Sequence, residues 1–338
     1  MAGMRLLVTG GAGFIGSHYV RSVLGDAWGG PRPDTVVVLD RLTYAGNLAN
    51  LDPVRADDRL RFVEGDILDR PLVERLLAEV DAVVHFAAES HVDRSILGAA
   101  DFVMTNVVGT QTLLDAAREH GVAKFVHVST DEVYGSIRAG SWTEDEPVQP
   151  NSPYSASKAA GDLLARAYFR THGVPVCVTR CSNNYGPYQF PEKVIPLFVT
   201  NLIDGREVPL YGEGANMRDW LHVDDHCRAV HLVLEAGRPG EVYNIGGGTE
   251  LTNKELTGLL LEATGSGWDR VRHVTDRLGH DLRYCVDITK ISTELGYAPE
   301  VPFADGLAET VEWYRTHRGW WEPLRERAHL VSRPSPKA

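Results

Sequence analysis

The 338-residue sequence predicts an α/β protein built on a doubly wound parallel sheet, with a smaller and partly interleaved C-terminal part. Short runs of apolar and β-branched residues alternate with helical stretches over the first 180 residues, a glycine cluster closes the first run, and after Arg180 the rhythm changes. Strands covered on both faces read as continuous apolar runs rather than as alternating ones. Strand and helix taking turns is the pattern of βαβ units.

Residues 5–9, 35–40, 60–63, 81–86 and 124–128 are the first five strands, with helical stretches between most of them. Ser152-Pro153 is a cap residue followed by proline at the first helical position, so a helix is expected to start there. Residues 174–180 form a sixth strand. A loop rich in Asn, Pro and Tyr over 181–191 then leads into irregular segments and shorter helices, and residues 331–338 have the composition of a disordered tail. The expected division is a dinucleotide-binding domain over 1–180 with a return segment near 219–247, and a ligand-binding domain mainly over 181–330.

Gly10-Gly11-Ala12-Gly13-Phe14-Ile15-Gly16 follows the first strand directly and opens a helix. In that context Gly10, Gly13 and Gly16 allow a tight turn, close approach of backbone to a pyrophosphate, and close packing of helix on sheet. Asp40 ends the second strand, where its carboxylate would accept from adenosine ribose hydroxyls and repel a 2′-phosphate. These features define a Rossmann-type fold and favour NAD over NADP; Arg41 is the residue that would meet the phosphate instead.

Two further groups carry chemistry. Tyr154 and Lys158 are four residues apart on one face of a helix, where the ammonium would favour phenolate and lower the phenol pKa from its usual value of about 10. Asp131 and Glu132 follow an apolar strand, and differing environments would make one carboxyl a proton donor and the other an acceptor. Redox chemistry and elimination can then share one site. The cluster His222 to His226 is read as a strand giving way to a helix, with Asp224 in a cap or first-turn position, and no metal is expected. Trp313, Tyr314, Trp320 and Trp321 are read as packing.

A formal charge of -12 argues against tracking a nucleic-acid backbone. The four cysteines form no CxxC pair and are expected to be reduced thiols. No apolar run approaches the ~20 residues of a membrane span and no signal peptide precedes the first strand, so a cytoplasmic protein free of the membrane is expected.

Over nearly its whole length the chain resembles the extended short-chain dehydrogenase/reductase family, and within it the nucleotide-sugar branch. The resemblance rests on residues 9–16, 40–47, 85–95 and 130–132, on Arg180-Cys181-Ser182-Asn183-Asn184-Tyr185-Gly186-Pro187, on 191–196 and on Gly279-His280-Asp281. It implies NAD as cofactor, dTDP-glucose as substrate, and a homodimer through helices near 101–120 and 152–171. It also implies roles. Tyr154 takes the C4 hydroxyl proton during oxidation, Thr130 holds the C4 oxygen, Glu132 removes the C5 proton, Asp131 protonates the departing C6 hydroxyl, and Lys158 binds the nicotinamide ribose. Cofactor contacts are implied at Phe14, Ile15, Asp40, Thr43, Asp66, Ile67, Ala87, Ala88, Thr105 and Asn184. Substrate contacts are implied at Ser90, Asn183, Lys193, Tyr211, Arg218, Asn253, Arg277 and His280, with Arg218 and Arg277 on the diphosphate. Leu278 stands where the family often has Pro. The Asp-Glu pair favours a dehydratase over a 4-epimerase; a dehydratase of UDP- or GDP-sugars and a non-catalytic dinucleotide sensor are the other readings.

Overall fold

The structure, a computed structural model, describes residues 3–29, 32–276 and 279–331. Seven parallel strands make the main sheet: β1 (Arg5–Thr9), β2 (Thr35–Asp40), β3 (Leu60–Glu64), β4 (Ala82–His85), β5 (Lys124–Thr130), β6 (Val176–Cys181) and, much later in the chain, β10 (Val242–Ile245). Their order is β10-β6-β5-β4-β1-β2-β3. The chain winds outwards from β1 in both directions, and β1 and β4 are neighbours in register, Thr9 opposite His85. At that reversal the two flanking crossovers leave on opposite faces, which opens a crevice beyond the carboxyl ends of the strands.

Alternation along each strand divides the core in two. Leu6, Val8, Val36, Val38, Val84 and Val126 pack on one face with Tyr19, Val20 and the helix Val223–Ala236. Leu7, Val37, Leu39, Val83, Phe125 and Val178 pack on the other with the helices Arg70–Leu77 and Thr110–His120. All are buried, as a sheet covered on both faces requires.

The remaining strands are β7 (Asn183–Tyr185), β8 (Val208–Tyr211), β9 (Met217–His222), β11 (Thr249–Thr252) and β12 (Val271–Val274). β11-β9-β7 and β12-β8 form two small sheets. Within residues 219–247, the helix Val223–Ala236 and β10 return to the main sheet, whereas β9 belongs to a small one. The smaller part has its own core, in which Phe198, Trp220, Leu256, Leu260, Tyr314 and Trp321 are buried together. Tyr314 and Trp321 are fully enclosed, and the Trp321 indole donates to the Tyr314 carbonyl at 2.7 Å. The expected tail falls on residues 332–338, outside the described residues; Val331 ends the last helix.

Candidate active site

The first turn after β1 is shaped by glycine. Gly10 has φ 70°, and a Cβ there would lie 2.6 Å from the Ala87 nitrogen; a Cβ on Gly16 would press into the Gly10 carbonyl. Gly13 meets only the Gly10 oxygen at 3.3 Å, so its surface stays open to the crevice at the start of the helix Phe14–Gly25. Asp40 accepts from the nitrogens of Ala12 at 3.0 Å and Leu42 at 2.8 Å, which ties the end of β2 to the glycine turn. Arg41 turns away into ion pairs with Asp66 at 2.8 Å and Glu89 at 3.4 Å. A 2′-phosphate would therefore meet a half-buried carboxylate and a guanidinium already engaged.

A cleft of about 310 Å³ runs over these residues. Its lining includes Gly10, Gly13, Phe14, Ile15, Gly16, Asp40, Thr43, Asp66, Ile67, Ala87, Ala88, Thr105 and Asn184, together with Ser90, Thr130, Asp131, Glu132, Tyr154 and Lys158. Thr105 reaches it through a π-helical turn, Met104–Gly109, inside the helix expected near 101–120. In that turn Asn106 locks the loop after β4, exchanging bonds with the Glu89 backbone at 2.9 and 3.0 Å and donating to Ser157 at 2.9 Å. The spacing of the sequence carries no sign of it.

The reacting groups sit where two elements end and begin. β5 runs to Thr130, whose hydroxyl caps the short turn Asp131–Tyr134 by accepting from the Glu132 nitrogen at 3.3 Å. Ser152 caps the helix Pro153–His172 in a reciprocal box with Ser155, fixing its first turn and so Tyr154. Asp131 is only 2% exposed. Burial first, then the charges of Glu132 and Asp219, push its carboxyl well above the ordinary range against the opposing pull of Arg218. That direction favours the protonated form, as a proton donor requires.

Tyr154 departs from the sequence expectation. Its phenol is pushed well above the ordinary value, by burial and then by the charges of Glu132, Cys181 and Asp131. The Lys158 ammonium, expected to lower it, donates to the Val128 carbonyl at 2.7 Å, and burial moves its own pKa down. Lys158 at i+4 is legible from spacing; the two carboxyls across the cleft are not. With these side chains alone the phenol stays protonated, so phenolate needs another positive charge in the cleft.

A second cavity of about 210 Å³ adjoins the first. Tyr211, Arg218, Asn253 and His280 line it, and Glu132, Asn183, Asn184 and Lys193 line both. Arg218 is buried, held by the carbonyls of Met217 at 2.7 Å and Asp281 at 2.9 Å, and lies 4.3 Å over the Tyr284 ring. Lys193 donates to the Ser90 carbonyl at 2.8 Å, joining the two halves of the molecule. His280 bonds Asp276 at 2.6 Å. Arg277 and Leu278 lie outside the described residues. Gln189 lines both cavities and Trp220 the second, and sequence reasoning singled out neither. Trp220 follows Arg218 at the period of two that shares a strand face, which was the available signal.

The histidine-carboxylate cluster is structural. His222 caps its helix through the Asp224 nitrogen at 3.3 Å, Asp224 in the first turn accepts from His18 at 3.0 Å and Trp28 at 3.3 Å, and His226 bonds Asn184 at 2.8 Å. Among the described residues no helix is long and apolar enough to cross a membrane.

Known proteins match this arrangement over almost all of the chain. The family described as GDP-mannose 4,6 dehydratase matches residues 7–310. The dTDP-glucose 4,6-dehydratase of Streptomyces niveus is 62% identical over 331 residues, 98% of each chain, and that of Streptomyces griseus is 66% identical over 319 residues, 94% of this chain and 96% of the other. A crystal structure of the dTDP-glucose 4,6-dehydratase from Streptomyces venezuelae, solved with NAD and dTDP bound, superposes with a TM-score of 0.94 at 68% identity, covering 95% of this chain and all of that one, 100%.

Proposed function

The chain belongs to the family described as GDP-mannose 4,6 dehydratase, and from that premise we infer that it is a dTDP-glucose 4,6-dehydratase, an NAD-dependent lyase that converts dTDP-glucose to dTDP-4-keto-6-deoxyglucose. One observation carries the choice of reaction: Asp131, a buried carboxyl that burial first and then its neighbours' charges push well above the ordinary range, stands next to a second carboxyl, Glu132, in the lining of the dinucleotide cleft. Oxidation and reduction at one carbon, as in epimerisation, need only a hydroxyl-directed acid and base. Elimination of water from C5 and C6 needs a base for carbon and an acid for the leaving oxygen.

The open surface at Gly13, the carboxylate of Asp40 and the lining at Thr105, Tyr154 and Lys158 suit a dinucleotide. NAD, when bound, supplies a hydride acceptor and then a donor within one turnover, and in its oxidised ring the positive charge that favours phenolate. In our reading Tyr154 receives the proton of the C4 hydroxyl while Thr130 holds the C4 oxygen. The ketone so formed acidifies the hydrogen on C5. Glu132 takes that proton, and the electron pair left on C5 forms the C5–C6 double bond as the C6 oxygen departs. Asp131 gives its proton to that oxygen, which leaves as water. Lys193 and Asn183 bridge the cavities, and Arg218 faces the diphosphate, where a guanidinium binds oxygens in pairs.

The same reading takes residues 1–180 and the return near 219–247 as the cofactor half and most of 181–330 as the substrate half. It takes the protein as a cytoplasmic homodimer. The exposed apolar side chains Val103, Met104 and Leu163 on the helices near 101–120 and 152–171 support the dimer, and four unpaired cysteines suit a reducing compartment.

Incubation with the dTDP-, UDP- and GDP-forms of glucose, without added cofactor, tests the function. Loss of one water from the dTDP-sugar is expected, with slower or no loss from the others. A product of unchanged mass with inverted C4 would replace the dehydratase by an epimerase.

A further inference from the structure

Gln189 stands at the boundary of the two cavities and lines both. It is 8% exposed. Its main chain is held from the smaller part of the molecule, the Tyr314 hydroxyl donating to its carbonyl. Its side-chain nitrogen donates to the Asn184 carbonyl at 2.9 Å. Asn184 is itself pinned, its side chain donating to the Ser182 carbonyl at 2.9 Å and bonding His226 at 2.8 Å.

These bonds decide which way the amide faces. Its nitrogen has a protein acceptor, and its oxygen Oε1 is buried with no hydrogen-bond partner among the described residues. Four other side-chain atoms of residues lining the two cavities share that condition: Ser129 Oγ, Asp131 Oδ2, Asn183 Oδ1 and Trp220 Nε1. Buried polar atoms without partners are uncommon, and several on residues that line adjoining cavities point to a ligand's place. Gln189 Oε1 and Asn183 Oδ1 are amide carbonyls, which only accept, so a ligand group that pairs with them must donate. A nucleotide-linked hexopyranose such as glucose presents donors of this kind, the hydroxyls at C2, C3, C4 and C6.

We propose that the Gln189 side-chain carbonyl accepts a hydrogen bond from a non-reacting hydroxyl of the hexose, at C2 or C3, and so selects sugars that carry it. The inference rests on the dehydratase reading, which accounts for the rest of the ring. C4 is held from Tyr154 and Thr130, C5 and C6 from Glu132 and Asp131, and the diphosphate from Arg218 in the second cavity. The carbons between C4 and the diphosphate must pass the boundary, where Gln189 stands. A site built to bond a hydroxyl rejects the analogue without it more strongly than an apolar wall would, because its own carbonyl is then left unpaired.

The test compares the parental enzyme and Gln189→Met, which keeps the side chain's length and removes the amide. Substrates are dTDP-glucose and its 2-deoxy-2-fluoro and 3-deoxy-3-fluoro analogues, in which fluorine replaces a donor at similar size. The parental enzyme should lose on the order of 10-fold in kcat/KM on one of the two analogues. Gln189→Met should lose a similar factor on dTDP-glucose and almost nothing further on that analogue, with its NAD content unchanged. Gln189→Ser, read the same way, gives the comparison if Met disturbs the loop. Equal losses on all three substrates, or loss of bound NAD with substrate kinetics intact after reloading, overturn the proposal while leaving the dehydratase reading in place. A parental enzyme that removes no water from dTDP-glucose overturns both.

Discussion

Asp131→Asn separates the elimination from the oxidation that precedes it. The substitution keeps shape and a hydrogen-bonding group at a site only 2% exposed, and it leaves Tyr154, Lys158 and the dinucleotide cleft untouched. What disappears is the proton that burial and the neighbouring charges of Glu132 and Asp219 hold on the carboxyl. Removing one positioned acid costs roughly 10²–10⁴-fold in rate, which at 1.36 kcal/mol per decade is about 2.7–5.4 kcal/mol of barrier. Mixing the variant with dTDP-glucose should produce the reduced-nicotinamide absorbance band, and the band should persist because the later steps are slow. A variant that dehydrates at the parental rate, or binds substrate without any rise in that band, refutes the assignment.

The same carboxyl makes a stability prediction. Its folded-state pKa lies above the unfolded value of about 3.9, so the native state holds the proton more tightly. That contribution is complete below the unfolded pKa and is lost as pH rises through the folded one. Asp131→Asn should therefore gain stability relative to the parent as pH rises above about 4, seen in thermal melts across pH. Melting differences that do not change with pH would mean that the carboxyl titrates normally.

Tyr154→Phe should fold, bind NAD and show neither the reduced-nicotinamide band nor water loss, since no group remains to take the C4 hydroxyl proton; near-parental turnover in a variant with unchanged circular dichroism would remove Tyr154 from the chemistry. Asp40→Ala should weaken NAD binding and narrow the preference over NADP, measured by competition for the emptied enzyme. Because Arg41 is already paired with Asp66 and Glu89, the variant should not become an NADP enzyme outright. An unchanged preference would show that Asp40 serves only the bonds to Ala12 and Leu42.

The parts of the fold set by local pattern were legible. Residues 5–9 and 35–40 read as strands because β-branched runs have little else to do, and Ser152-Pro153 marks a helix start by cap chemistry, which places Tyr154 at once. Asp131 and Glu132 were legible as the residues after a strand. Long-range effects were not. The short strands β7, β9 and β11 come from three distant segments, and nothing local announces their pairing. The Asp131 carboxyl is pushed up by burial first, then by Glu132 beside it and by Asp219, 88 positions on, and neither the burial nor Asp219 is legible locally. The Tyr154 phenol is pushed up by burial and then by the charges of Glu132, Cys181 and Asp131, none of which its spacing to Lys158 announces. Gln189 looked like one polar residue in a polar loop; only the bond to Asn184 shows which end of its amide is left without a partner.

The central claim is that one hydride leaves C4 and returns to C6 of the same sugar, within a site whose acid and base remove water in between. dTDP-glucose carrying deuterium at C4, incubated with the enzyme in ordinary water and no added cofactor, tests it most directly. The expected product is dTDP-4-keto-6-deoxyglucose with the deuterium on C6 and a solvent hydrogen on C5. Deuterium lost to solvent, or retained at C4 of a sugar that has lost no water, would contradict it.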